Sequence, residues 1–213
     1  HTLFLSLFGS VPITSGSVLF DGRPLAIGSP RDAIRSGIGL VPEERKTEGL
    51  FLKMSGRDNI MISVIDRFAR MGLVDGRAER RTAAAAMDRV QVHRRALYTP
   101  AGAFSGGNQQ KIVLAKWLVM KTRVLLLFDP CRGVDVGTKH EIYLLIRAYA
   151  DAGGAVLLYS SEIPELVNLS DRVIVMYGGR VIRQVSETEG KSAETEIMRA
   201  ALGDDAGRAE AAS

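Results

Sequence analysis

Phe104-Ser105-Gly106-Gly107-Asn108-Gln109-Gln110-Lys111 is the most informative segment of the chain. A hydroxyl residue and two glycines lead straight into a helical run. Ile112, Val113, Leu114, Ala115, Leu118 and Val119 are its apolar positions, broken by Lys111, Lys116 and Lys121. Ser105 suits an N-cap, because its side-chain oxygen can accept a bond from a free first-turn N–H. Gly106 and Gly107 let the backbone approach a ligand closely. The following helix aims the positive end of its dipole at that ligand, so the segment is a candidate anion site. The plain alternative is a capped helix after a glycine turn, and the rest of the chain decides between the two.

The chain has 213 residues, 46% hydrophobic and 24% charged, enough for one sizeable core with a subdomain. Arginines between Arg67 and Arg95 supply much of the formal net charge of +4. A solvated helix face is the simplest reading of that run. A nucleic-acid or anionic-lipid surface is the alternative, but no aromatic residues interleave to stack on bases. The single Cys131 excludes an internal disulfide and fits a reducing compartment. No apolar run approaches the roughly 20 residues that span a bilayer. The apolar start, Leu3 to Phe8, lacks the basic region and cleavage site of a signal peptide, and the missing initiator Met suggests a fragment or processed chain.

In order, Leu3 to Phe8 reads as a helix end closing at Gly9. Ser17 to Phe20, Asp21-Gly22 and Pro24 to Ile27 read as a hairpin. Ser29 and Pro30 open a helix that ends at Gly37, Ile38 to Val41 is a buried strand, and Glu43 to Gly49 is a polar loop. Helices are expected over Arg57 to Arg70 and Gly76 to Val92. Arg123 to Phe128, an apolar run ended by Asp129-Pro130, reads as a strand buried on both faces. A helix over Lys139 to Ala150, a strand over Gly154 to Tyr159, a helix over Ile163 to Leu169, strands over Arg172 to Tyr177 and Arg180 to Val185, and a terminal helix over Ala193 to Leu202 follow. Strands alternating with helices in the second half argue for an α/β fold with a mostly parallel sheet.

The order of these parts resembles the ATP-binding-cassette (ABC) ATPase family, a P-loop NTPase fold. More closely, it is similar to the second, C-terminal cassette of the tandem ATPases of ribose-, galactose- and xylose-type bacterial sugar importers. The resemblance is carried by Gly37 through Leu50, by Ser105 through Trp117, by Arg132-Gly133-Val134-Asp135-Val136-Gly137 and by Ser170-Asp171-Arg172-Val173. It implies a cassette over residues 1–203, with a mostly parallel sheet, a small antiparallel β part, a helical subdomain at about 44–120, and a frayed tail at 204–213. In such cassettes two units sandwich ATP head to tail. Ser105, Gly106, Gly107, Asn108 and Gln109 would then face the ATP and Mg2+ of a partner cassette, and Asp135 would occupy the loop crossing between the units. Glu43 falls where many cassettes place a glutamine that senses magnesium and the attacking water.

Several positions depart from a complete ATPase. Only the last two residues of the phosphate loop are present. His1 stands at its Lys/Arg position, and Thr2 at the hydroxyl that would ligate magnesium, so the chain is expected to be shortened within that loop. Aligned on Pro130, Phe128 stands at the magnesium-positioning acid and Asp129 at the catalytic glutamate, one methylene shorter. Slipping the register by one would make Asp129 the magnesium acid, but the spacing to Gly133-Val134-Asp135 favours the first alignment. Ser161 replaces the histidine that contacts the γ-phosphate.

The expectation is a sugar-importer cassette, inactive alone, whose signature completes a partner's site. Its implied partners are an upstream or partner cassette, permease transmembrane subunits and, through them, a periplasmic sugar-binding protein. It would sit peripherally on the cytoplasmic face of the bacterial inner membrane. Two alternatives are a catalytically dead cassette acting as a scaffold, and a nucleic-acid-acting ABC ATPase. The second would need a coiled-coil or zinc insertion that the sequence lacks, so nucleic acid is not an expected partner.

Overall fold

The computed structural model describes residues 1–186 and 191–203. The expected tail at 204–213 lies outside them. Two compact units divide the chain, His1–Leu157 and Leu158–Ser213.

In the first unit, α1 (Thr2–Leu7) leads to an antiparallel hairpin, β1 (Val18–Phe20) and β2 (Arg23–Leu25), turned through Asp21 and Gly22 with both φ angles positive. Ser29 caps α2 (Pro30–Arg35) through the Asp32 N–H, with Pro30 at the first helical position. The central sheet has the order β3 (Ile38–Val41), β6 (Val124–Phe128), β7 (Ala155–Tyr159). β3 and β6 run parallel, pairing Ile38 with Val124 and Val41 with Leu127. One apolar cluster covers this sheet: Phe4, Ala33, Ile38, Leu126 and Phe128, flanked by Phe8, Phe20 and Leu157.

The helical part departs from the expected long helix at Arg57 to Arg70. α3 (Gly56–Met61) stops after six residues, followed by a 3-10 turn at Ile65–Phe68 and a small hairpin, β4 (Ala69–Arg70) and β5 (Leu73–Val74). Ile62, Val64 and Ile65 crowd β-branched side chains where the helix would continue, and Met71 and Gly72 both take positive φ to turn the hairpin. α4 (Gly76–Arg89) starts on an Asp75 cap and ends at Arg89, short of the expected Val92, with Gln91 beyond it at φ +54°. The expected loop at Glu43 to Gly49 contains a π-helical turn at Arg45–Gly49.

α5 (Gly106–Met120) runs through the middle of this unit, packed by α3, α4 and β3. Gln109 through Ala115 are all buried, which is why its sequence shows no clean polar face. Trp117 lies over Gly39 of β3: a Cβ there would sit 2.7 Å from the indole, so only glycine fits. Lys116 is drawn inward too. Its Nζ donates to the Gly49 carbonyl at 3.1 Å, and burial pushes its pKa down to about 8. Below pH 8 this lysine is charged in both states, and the cost of burying the charge is fully present. Between about pH 8 and 10.5 the unfolded chain holds a proton that the folded chain has released, so stability rises with pH there. A gain of about 3 kcal/mol at most corresponds to that shift. Urea denaturation at pH 7 and pH 10 should detect the rise in the native chain and lose it in Lys116→Met.

α6 (Val136–Asp151) starts three residues before the expected Lys139, because Asp135 caps it by accepting from the Thr138 N–H at 3.0 Å. The second unit has α7 (Ile163–Leu169), an antiparallel hairpin of β8 (Val173–Tyr177) and β9 (Arg180–Val185), and α8 (Lys191–Ala201). Val173, Val175, Val185, Ala193, Ile197 and Ala200 form its core. Among the described residues no helix is long and apolar enough to cross a membrane.

Candidate nucleotide-facing site

Ser105 is exposed at the start of α5. Its Oγ accepts from the Asn108 backbone N–H at 3.4 Å and from Asn108 Nδ2 at 3.1 Å. With its lone pairs so used, the Ser105 hydroxyl proton is left to point away from the helix at an acceptor. The hydroxyl, the Asn108 amide and the helix dipole together make a small electropositive face.

The two glycines have a packing reason that the sequence did not reveal. A Cβ on Gly107 would lie 2.3 Å from Thr138 Cγ2, and one on Gly106 would lie 2.5 Å from Arg45 Nη2 and 3.0 Å from the Gly133 carbonyl oxygen. Their missing side chains admit neighbours from this same chain. Gln109, expected among the ligand-facing residues, turns inward instead. It is 3% exposed, and its Nε2 donates to the carbonyls of Phe104 and Ala101, fixing the turn before the helix.

Three further segments converge on this point. Asp135 bonds Thr138 through both the backbone N–H and, at 2.8 Å, the Thr138 hydroxyl. These bonds hold its carboxyl below the ordinary carboxylate range, so it stays ionised. Lys111, buried on α5, pairs with Glu141 on α6. Glu43 pairs with Arg132, which also lies 3.6 Å from Glu44. Arg45 Nη1 donates to the Arg132 carbonyl at 2.8 Å, and its Nη2 reaches the Gly133 carbonyl at 3.5 Å. Arg45, Arg132 and Thr138 were not among the expected site residues. The first two sit inside the quoted motifs, but nothing in the spacing revealed that they meet.

Asp129 is buried at the end of β6, in a left-handed turn with φ +47°. Phe128 is buried in the apolar cluster, edge-on to Phe4 at 5.5 Å and to His1 at 5.0 Å between ring centres. An aromatic ring in this setting offers no ligand to magnesium, so Phe128 does not fit the ion. Thr2 is exposed at the first position of α1. Among the described residues no group of three or more His, Cys, Asp or Glu is placed to hold a metal. Ser161 is exposed in the second unit, next to Ser160, whose Oγ donates to Glu165 at 2.7 Å.

A capped helix after a glycine turn, packed on a sheet with parallel strands, is the arrangement of an ABC-type ATPase domain with the P-loop NTPase fold. The sequence pattern of the ABC transporter family matches residues 1–132, and the chain belongs to that family. Among curated relatives it is similar to the ribose import ATP-binding protein RbsA 1 of Rhizobium johnstonii, 48% identical over 94% of this chain and 39% of the relative. The ribose import ATP-binding protein RbsA of Geobacillus kaustophilus is 41% identical over 93% of this chain and 40% of its own length. The chain thus spans about two fifths of these relatives. Among solved structures, a nucleotide-free ATP-binding cassette from an ABC transporter matches with a TM-score of 0.77 at 17% identity, over 92% of this chain and 78% of that one. CbiO1 from Clostridium perfringens, part of the ABC transporter complex cbiONQ, matches with 0.73 at 24% identity, over 95% and 79%. At such identities these structures speak for the fold.

Proposed function

We propose that this chain is the second cassette of a tandem carbohydrate-importer ATPase, and that it completes an ATP site whose phosphate loop belongs to a partner cassette. One observation carries the reading. The Ser105 face is exposed, while Phe128, which the resemblance aligns with the magnesium-positioning acid, is buried against Phe4 and His1. ATP with Mg2+, held on the partner, would supply the hydrolysable phosphate. The Ser105 hydroxyl and the first-turn N–H groups of α5 would orient its γ-phosphate and stabilise the charge there. Asp135, ionised and held by Thr138, would lie in the loop crossing to the partner. Glu43, tied to Arg132, would link this site to permease subunits docked on the helical part at about 44–120. The near-half identity to ribose import ATP-binding proteins supports a sugar as the cargo, a periplasmic binding protein as its source, and a peripheral place on the cytoplasmic face of the inner membrane.

The test is ATP titration of the 213-residue chain by calorimetry, followed by ATP turnover after it replaces the matching 202 residues of the Rhizobium johnstonii relative. The chain alone should bind ATP no tighter than about 1 mM, and the hybrid should hydrolyse ATP. Micromolar binding by the chain alone, or an inactive but folded hybrid, would refute the reading.

A further inference from the structure

Three segments far apart in sequence meet at one guanidinium. Arg45 belongs to the π-helical turn after β3, and its Nη1 donates to the carbonyl of Arg132 at 2.8 Å. Its Nη2 lies at 3.5 Å from the Gly133 carbonyl and directly over Gly106. Arg132 in turn pairs with Glu43, which closes a loop back to the turn where Arg45 started. Gly133 takes φ +65°, so its carbonyl points back at Arg45 and the chain then runs on to the Asp135 cap of α6. Thr138, held by that cap, fills the space beside Gly107.

The start of α5 is therefore wedged between Arg45 on one side and Thr138 on the other, and both wedges are anchored on residues 132–135. A cation that crosses between loops at two carbonyls fixes their separation in a way a point charge cannot, because the guanidinium fork is planar and rigid. No carboxylate is within bonding reach of Arg45 among the described contacts, and its Nε is buried without an acceptor. The side chain is thus placed for its carbonyl contacts and not for an ion pair. Arg45 is part-buried, and its guanidinium lies over Gly106 while it donates to the Arg132 carbonyl. The arrangement makes sense if the spacing of Gly106 and Gly133 must be held.

We propose that Arg45 is a positioning residue that sets Ser105, Gly106 and Asp135 in one register, so that movement of the turn at residues 45–49 shifts both ligand-facing loops together. The inference rests on the shared-site reading above. It adds that the turn after β3 and the signature helix are mechanically joined through one side chain, without Arg45 touching the nucleotide.

The experiment has two arms. In the 213-residue chain, hydrogen–deuterium exchange is compared between native and Arg45→Gln. In the hybrid with the Rhizobium johnstonii relative, kcat and KM for ATP are compared among native, Arg45→Gln, Arg45→Lys and Ser105→Arg. Arg45→Gln should raise amide exchange at Gly106–Asn108 and at Arg132–Asp135 together, and leave β8 and β9 unchanged. In the hybrid it should lower kcat by about tenfold or more, as expected for misplacement by a fraction of an ångström, with KM changed by less than about threefold. Arg45→Lys, which can still reach one carbonyl, should recover part of kcat. Faster exchange confined to residues 45–49, or an unchanged kcat in a hybrid that Ser105→Arg inactivates, would overturn the role of Arg45. If Ser105→Arg has no effect, the shared-site reading fails by itself, and the exchange arm still decides whether Arg45 joins the two loops.

Discussion

Ser105→Arg should abolish ATP turnover in the hybrid, with a loss of about two to three orders of magnitude. The substitution removes the hydroxyl that Asn108 orients, and places a long cationic side chain where the phosphate of the partner's ATP would approach. Preorganised donors on developing charge contribute about that much in other enzymes. The fold should survive. Ser105 is exposed, and losing its cap costs on the order of 1 kcal/mol. Circular dichroism and thermal melting should therefore show a native-like variant with a slightly lower Tm, while turnover falls to background. A smaller loss in Ser105→Ala would separate the missing hydroxyl from the added bulk.

Gly107→Ala should destabilise the chain by about 2 kcal/mol, against the direction that helix propensity alone predicts. Glycine inside a helix normally costs about 1 kcal/mol relative to alanine. Here the added methyl would meet Thr138 Cγ2 at 2.3 Å, well inside contact distance. Thr138 cannot simply rotate away, because its hydroxyl and N–H are both engaged by Asp135. Relief therefore breaks the cap of α6 or pushes α5 outward, and overpacking of this kind costs on the order of 1–3 kcal/mol. Urea denaturation checks the sign. A double-mutant cycle with Thr138→Ser, which deletes the offending methyl and keeps the hydroxyl, should recover part of the loss. If Gly107→Ala stabilises the chain, the packing account of the two glycines is wrong.

Much of the fold could be read from local signals. The Ser29 and Ser105 caps, the Asp21-Gly22 turn and the apolar run ending at Phe128 all act within a few residues, and each sits where the sequence pattern put it. The errors arose where local and tertiary preferences compete. The expected helix over Arg57 to Arg70 ends at Met61, because β-branched Ile62, Val64 and Ile65 and the turn at Met71-Gly72 outweigh its helical spacing. The early start of α6 followed from Asp135, which the resemblance presented as a loop residue and the structure uses as a cap.

At the site, the exposed face was legible and its support was not. Ser105 and Asn108 announce themselves by type and spacing. Arg45, Arg132 and Thr138 do not, because what matters about them is contact between residues distant in sequence, as in the meeting of Arg45 with Arg132 and of Thr138 with Gly107. Gly106 and Gly107 also admit Arg45, Gly133 and Thr138 of this same chain, which the motif by itself does not reveal. Gln109 shares the motif with Ser105 but faces the interior, as a helix periodicity of 3.6 residues allows for the position four residues on from an exposed cap only when tertiary packing covers that side.

The central claim is that this chain serves a partner's ATP and not its own. Steady-state ATP turnover of the hybrid, measured side by side for Ser105→Arg and Asp129→Asn, tests it most directly. Asparagine keeps the shape of the aspartate and removes its ability to act as a base at the chain's own site. Ser105→Arg should reduce turnover to background while Asp129→Asn stays within about twofold of native. The opposite pattern, with Asp129→Asn inactive and Ser105→Arg fully active, would contradict it.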